Sequence, residues 1–141
     1  MLSIMTIVSI LLITFLLIFG LGDNERETME KSAHIQIYNQ CSDLAEVQIE
    51  IEMYDFDPKT DTFITRYTSY ENISIEPGEA GSYIFKPPES IDSGYLDVQL
   101  SCSVGKNFDY FSHSSTWASR KDDTYKIFET EDGIKVDFLD W

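Results

Sequence analysis

Four groups of residues have side chains that could do chemistry. Cys41 and Cys102 are the two cysteines of the chain. No CxxC pair, Cys/His run or haem motif accompanies them. Outside the cytosol such an even pair reads as one disulfide. The bridge would close a loop of about 60 residues and contribute roughly 4 kcal/mol through the entropy of the unfolded chain. The alternative is two unpaired, buried thiols. Asp55, Asp57 and Asp61 gather in the turn YDFDPKTD. Calcium takes several carboxylate and carbonyl oxygens from one loop. However, Lys59 stands where an EF-hand needs an oxygen ligand, and Thr60 where it needs glycine. The simpler reading is an acidic hairpin tip.

The histidines are His34 and His113, far apart in sequence. Zinc needs three or four converging ligands, and nothing nearby completes such a set. His113 lies among serines in SHSST, but nucleophilic catalysis needs an activated serine and an oriented base. No nucleophile elbow or comparable motif is present. The sequence therefore assigns no catalytic residue, no cofactor and no metal. The fourth group is aromatic. The stretch 105–121 (GKNFDYFSHSSTWASRK) lacks clean alternation and holds Phe108, Tyr110, Phe111 and Trp117. Aromatics on a loop are frequent interface anchors, so these four are the candidate partner-binding residues. The plainer reading is that they finish a strand and cap the core. Arg120 and Lys121 beside them read as solvated surface. Asn72-Ile73-Ser74 is a glycosylation sequon, which matters only in a eukaryotic secretory pathway.

The elements that must position these residues are strands. Ala45, Val47, Ile49, Ile51 and Met53 alternate with Glu46, Gln48, Glu50 and Glu52. One face is apolar and the other polar, the period of a half-buried strand in an antiparallel sheet. The same logic predicts strands over 33–39, 62–70, 72–76, 82–86 and 95–104. It also predicts a final hairpin, 124–129 and 134–139, around Asp132-Gly133. Asp57-Pro58-Lys59-Thr60 and Pro77-Gly78-Glu79 read as turns, and Pro87-Pro88 ends a strand. Seven or eight short strands predict an all-β, antiparallel, two-sheet sandwich of immunoglobulin-like type over 33–141. The cysteine spacing is near that of immunoglobulin domains. Yet no Trp follows Cys41 at the usual place, and Leu100 stands where a corner tyrosine would be.

The first 22 residues, MLSIMTIVSILLITFLLIFGLG, carry no charged side chain. As one apolar helix they would be about 33 Å long, enough for a hydrocarbon core of about 30 Å. They read as an uncleaved transmembrane anchor or as a signal peptide cut after Gly20-Leu21-Gly22. Residues 23–32 form a polar linker. Its acidic flank gives no reason to retain the domain in the cytoplasm. The expected location is membrane-anchored with the domain outside, or secreted or periplasmic after cleavage.

Composition narrows the function. The chain has 141 residues with 25 acidic and 10 basic side chains, a net charge of −15. A surface this acidic repels phosphate backbones, so nucleic acid is excluded as a partner. The apolar share of 43% fits a packed body, not a disordered one.

Ile51-Glu52-Met53-Tyr54-Asp55, followed by Ile75-Glu76-Pro77-Gly78-Glu79, resembles the FxLYD-type domain. Ile51 replaces that family's Phe and Met53 its Leu, and the resemblance covers about residues 33–102. It implies a small, exported, immunoglobulin-like interaction module and carries no catalytic residue. Two functions are therefore expected. One is a non-enzymatic module that binds another protein at the outer face of a membrane. The other is an acidic inhibitor or immunity-type protein that blocks a basic toxin or hydrolase site.

Overall fold

The computed structural model describes residues 32–91, 93–117 and 120–139. Eight strands run in chain order: β1 (Ser32–Asn39), β2 (Ala45–Asp57), β3 (Thr62–Ile75), β4 (Ala80–Phe85), β5 (Tyr95–Val104), β6 (Asn107–Thr116), β7 (Arg120–Thr130) and β8 (Gly133–Leu139). They form two four-stranded sheets. The first has the order β4-β1-β7-β8 and the second β3-β2-β5-β6. Among the described residues no helix is long and apolar enough to cross a membrane. The apolar segment 1–22 and the linker through residue 31 lie outside the described residues, and the choice between anchor and signal peptide lies there too. Ser32, placed in the linker by its polarity, opens β1.

The sheets face each other through the residues that the period of two picked out. From the second sheet come Val47, Ile49, Ile51 and Met53 of β2 and Leu96, Val98, Leu100 and Cys102 of β5. From the first come Ile35, Ile37, Tyr125, Ile127 and Val136. Withdrawing each such branched side chain from water contributes about 2 kcal/mol. Gly81 lets the sheets approach closely where β3 turns into β4. A Cβ there would lie 2.8 Å from Ile75 Cγ1. On the opposite side, Asp109 of β6 accepts a 2.8 Å bond from the Val136 N–H of β8, tying the two sheets together.

Three expectations change. First, the sheets are not wholly antiparallel, because β1 and β7 run parallel from Ser32↔Arg120 to Asn39↔Ile127. Side chains alternate with the same period in both arrangements, so the pattern was silent about strand direction. Second, residues 62–75 form one strand, not two. It stays paired with β2 from Ala45↔Ile75 to Asp57↔Thr62, through a bulge at Met53/Tyr54. Third, 107–116 is a strand although its sequence shows no clean period. Its aromatics lie on both faces, which hides the alternation.

The cysteines are also corrected. Cys41 and Cys102 are both buried, as two free thiols and not a disulfide. Cys41 follows β1 of the first sheet and Cys102 lies on β5 of the second, so packing and not a covalent bridge joins the sheets there. Burial first, then the Asp109 and Cys41 charges, push the Cys102 thiol up to about 12. Burial and the nearby Glu129 raise Cys41 as well.

Candidate functional site

The register of the second sheet sets out its solvent face row by row. Across β3, β2, β5 and β6 the first row is Ser74, Glu46, Ser103 and Phe108. Next come Asn72, Gln48, Ser101 and Tyr110, then Tyr70, Glu50, Gln99 and Ser112. Thr68, Glu52, Asp97 and Ser114 follow, then Thr65, Tyr54, Tyr95 and Thr116. Beyond β5 and β6 the β2–β3 hairpin continues alone and adds the pair Phe56 and Phe63. This face carries four carboxylates, Glu46, Glu50, Glu52 and Asp97, and no Lys or Arg.

Hydroxyl and amide donors orient the carboxylates, and none of them has an ion-pair partner among the described residues. Ser74 Oγ donates to Glu46 at 2.7 Å and the Tyr70 hydroxyl to Glu50 at 3.2 Å. Thr65 Oγ1 donates to Glu52. Asp97 accepts from Ser112 at 3.1 Å, Ser114 at 2.9 Å and Gln99 Nε2 at 2.8 Å. The bond to Glu50, then its charge, pushes the Tyr70 hydroxyl pKa up. The carboxylates are therefore held in place yet electrostatically uncompensated, a cation-seeking surface.

One aromatic group lies beyond this acidic band and a second shares its rows. At one end Tyr54 stacks on Tyr95 with ring centres 5.4 Å apart, and Phe63 meets Tyr54 edge-on at 5.4 Å. Phe56 joins Phe63 at 5.5 Å. Near the other end stand Tyr70, Phe108 and Tyr110. Phe63 (64%), Phe108 (63%) and Tyr70 (61%) remain largely open to water. A shallow hollow of about 270 Å³ beside Phe108 is lined by Glu46, Gln48, Asn72, Ser101 and Ser103.

The four aromatics picked from sequence divide. Phe108 and Tyr110 face solvent. Phe111 turns inward against Tyr125, 5.7 Å between centres, and Trp117 is only 9% exposed, packed edge-on to Phe85 at 6.5 Å. Trp117, just past the end of β6, belongs to the core, and Phe111 packs against the core because successive residues of a strand point to opposite faces. Sequence reasoning missed Tyr54, Phe56, Phe63, Tyr70 and Tyr95. Their signal was available for Tyr54 and Phe56 on β2 and Tyr95 on β5, as outward members of strands with apolar inward members, but not for Phe63 and Tyr70, because β3 carries Ser69 and Glu71 on its inner side.

The other chemical candidates stay dispersed. His34 Nδ1 lies 4.0 Å from Asp122 Oδ1 on the outer side of the first sheet. His113 stacks on Phe138 of the first sheet at 4.3 Å. Ser112 and Ser114 point away from His113 to the opposite face, where they bond Asp97. Asp57 accepts from the Lys59 N–H at 2.9 Å and from Thr60 Oγ1 at 3.1 Å, which closes the hairpin turn. Asp55 pairs with Arg66 Nε at 3.4 Å beside a polar hollow of about 440 Å³ lined by Ser90, Ile91 and Ser93. Lys121, expected in solvent, turns its Nζ to Ser115 Oγ. Among the described residues Asp123 Oδ2 and the Tyr125 hydroxyl are buried without a well-formed hydrogen bond, although the two groups interact with each other. Burial raises both pKa values.

No family model matches the chain. No curated protein matches it either. Among solved structures, the T6SS lipoprotein TssJ1 from Pseudomonas aeruginosa aligns over 79% of this chain and 98% of its own length. The identity is 9% and the TM-score 0.37, too low to carry an argument. The case for function rests on the face itself.

Proposed function

We propose that the protein is a non-enzymatic, extracytoplasmic interaction module of immunoglobulin-like sandwich type, tethered to a membrane by residues 1–22. Its binding surface is the solvent face of the second sheet, and its partner is a protein with a basic, partly apolar surface. The observation that carries the reading is the pattern of that face, where oriented carboxylates with no ion-pair partner among the described residues share the surface with exposed aromatic side chains. Aromatic anchors supply contact area at interfaces, while uncompensated charge selects and steers the partner. The resemblance to FxLYD-type domains supports the same role.

The test is photo-crosslinking in cells expressing the full chain, with a photoreactive residue at Tyr70, Phe108 or, on the first sheet, Ile84. Adducts from Tyr70 and Phe108 with none from Ile84 support the proposal. Adducts from Ile84 alone, or from none of the three, overturn it. The inhibitor reading draws on the same charge. It is favoured by one feature, the β2–β3 hairpin that carries Asp57 and Asp61 beyond the sandwich. Inhibitor action would place the strongest adducts at that tip.

A further inference from the structure

We infer that the partner engages as a β-strand, pairing with the free edge of β3 and extending the second sheet with a segment that alternates cationic and apolar residues. This rests on the docking face proposed above and specifies its occupant. β3 closes one side of the second sheet and, among the described residues, pairs with β2 alone. In an antiparallel pair the backbone groups of alternate residues point away from the partner strand. The outer edge of β3 is thus a row of donors and acceptors open to another strand, although within this stretch the Asn72 N–H already donates to Glu71 Oε1 at 3.3 Å.

Exposed edges are ordinarily blunted by lysine, proline, a bulge or an inward-pointing charge, and on β3 Glu71 is the one such charge between Tyr67 and Ile75. From Tyr67 to Ile75 the strand has no Lys, Arg or Pro. The bulge lies just before this stretch, where Met53 pairs with Tyr67 and Tyr54 with Thr65, so that Arg66 is skipped in the register. At the other end the Ile75 carbonyl is already capped by Asn39 Nδ2 at 2.9 Å. The open length is therefore about Tyr67–Ser74, close to the span of an ordinary strand.

The two sides of this edge differ in chemistry, and that fixes what the added strand must carry. On the solvent face it would run beside Thr68, Tyr70 and Asn72, with Glu50 and Glu52 one strand further in. A lysine there lies over the Tyr70 ring, whose hydroxyl is bonded to Glu50. Ring and carboxylate both attract a cation. On the other face lies Tyr67, which packs on Phe85 at 5.7 Å between centres. Ser69 beside it is already bonded to the Tyr83 hydroxyl at 2.5 Å. Glu71 and Ile73 continue that side, so an apolar side chain suits it beside Tyr67 and Ile73, and a cation suits it beside Glu71. A second copy of this chain does not, because it would bring its own net charge of −15 and a second Glu71 to the same edge.

The test uses the full chain in detergent micelles and the peptide acetyl-(Lys-Val)4-amide. Two analogues carry N-methyl groups, one on every lysine nitrogen and the other on every valine nitrogen. Strand pairing uses only one of the two sets of N–H groups. One analogue should bind like the parent and the other at least tenfold more weakly. Raising salt from 50 to 500 mM should weaken the parent roughly tenfold. Equal affinity of both analogues and the parent overturns strand addition but leaves the docking face standing, since the photo-crosslinks judge that separately. No binding by the parent peptide, or self-association of the chain blocked by it in sedimentation, also overturns the inference.

Discussion

The two solvent faces of the sandwich are built from the same kind of strand but differ in how charge is balanced. On the first sheet, cations and anions lie side by side, as Lys126 of β7 does opposite Asp137 of β8. Lys135 Nζ lies 3.9 Å from Asp137, His34 faces Asp122, and Lys126 Nζ sits 5.0 Å from the centre of the Phe128 ring. Lys126 and Lys135 lie on the same face as Asp137 and Asp122, so an approaching protein meets little net field. On the second sheet, Glu46, Glu50, Glu52 and Asp97 have only neutral donors for neighbours, and the exposed rings lie beside them. A self-compensated face keeps a protein soluble, whereas an uncompensated one with aromatic anchors selects a partner. Net charge alone would not distinguish the two.

The largest effect expected lies between the faces, in the absence of a covalent staple. With the Cys102 thiol held at about 12 against 9.0 for a free one, its alkylation at pH 8 should be about 1000-fold slower in the native chain than in a peptide. In urea, two thiols per chain should react. A count of zero there would replace the packed pair with a bridge and sharpen the comparison into two covalently joined sheets.

Charge reversal tests the contrast directly. Replacing Glu50 and Glu52 together by lysine should weaken binding of a basic probe protein by about 100-fold at low salt, at roughly tenfold per removed and reversed charge. Lys126→Glu on the first sheet should change it less than about twofold. Comparable losses from both would erase the distinction between the faces.

The aromatic end of the second sheet depends on Gly94, where the chain passes beneath the root of the β2–β3 hairpin. Its φ is +118°, and a Cβ would lie 2.5 Å from Asp55 Oδ1 and 2.8 Å from the Tyr54 carbonyl oxygen. Gly94→Ala should lower stability by about 2 kcal/mol in urea unfolding. If stability is unchanged, the hairpin root is not the rigid support that the face requires.

A smaller effect comes from Asp123, in the interior behind the first face. Burial raises its pKa, with Lys121 and His113 opposing. A raised carboxyl pKa means the folded state holds its proton more tightly. Stability is therefore complete below the unfolded pKa, near 3.8, and is lost as pH rises through the folded value. Asp123→Asn should stabilise the protein at pH 7 by about 1 kcal/mol, since the buried side chain no longer carries charge. The gain should vanish below pH 3.8 in thermal unfolding followed against pH. The smallest effect belongs to the exposed Lys135–Asp137 pair. Lys135→Ala should cost less than about 0.5 kcal/mol, and a larger loss would show that the first face, too, is held by its charges.

The sequence by itself determined which residues are buried and which are wet along most strands. Ala45 to Met53 and Leu96 to Val104 alternate so strictly that only a two-sided sheet accommodates them. It also announced the hairpin turns, the strand end at Pro87-Pro88 and the acidity of the surface. The period failed at 105–121, where Phe108 and Tyr110 face water while Phe111 and Trp117 fill the core, so that all four rings looked alike. Neighbours across strands were decided only by the tertiary structure. The parallel pairing of β1 with β7, and the gathering of Tyr54, Phe63 and Tyr95 at one end of an acidic face, join residues distant in the chain. A strand's own pattern records which way each side chain points, through the alternating geometry of its backbone. Which strand lies alongside, and in which direction, follows from packing two whole sheets against each other, and no local stretch of sequence contains that information.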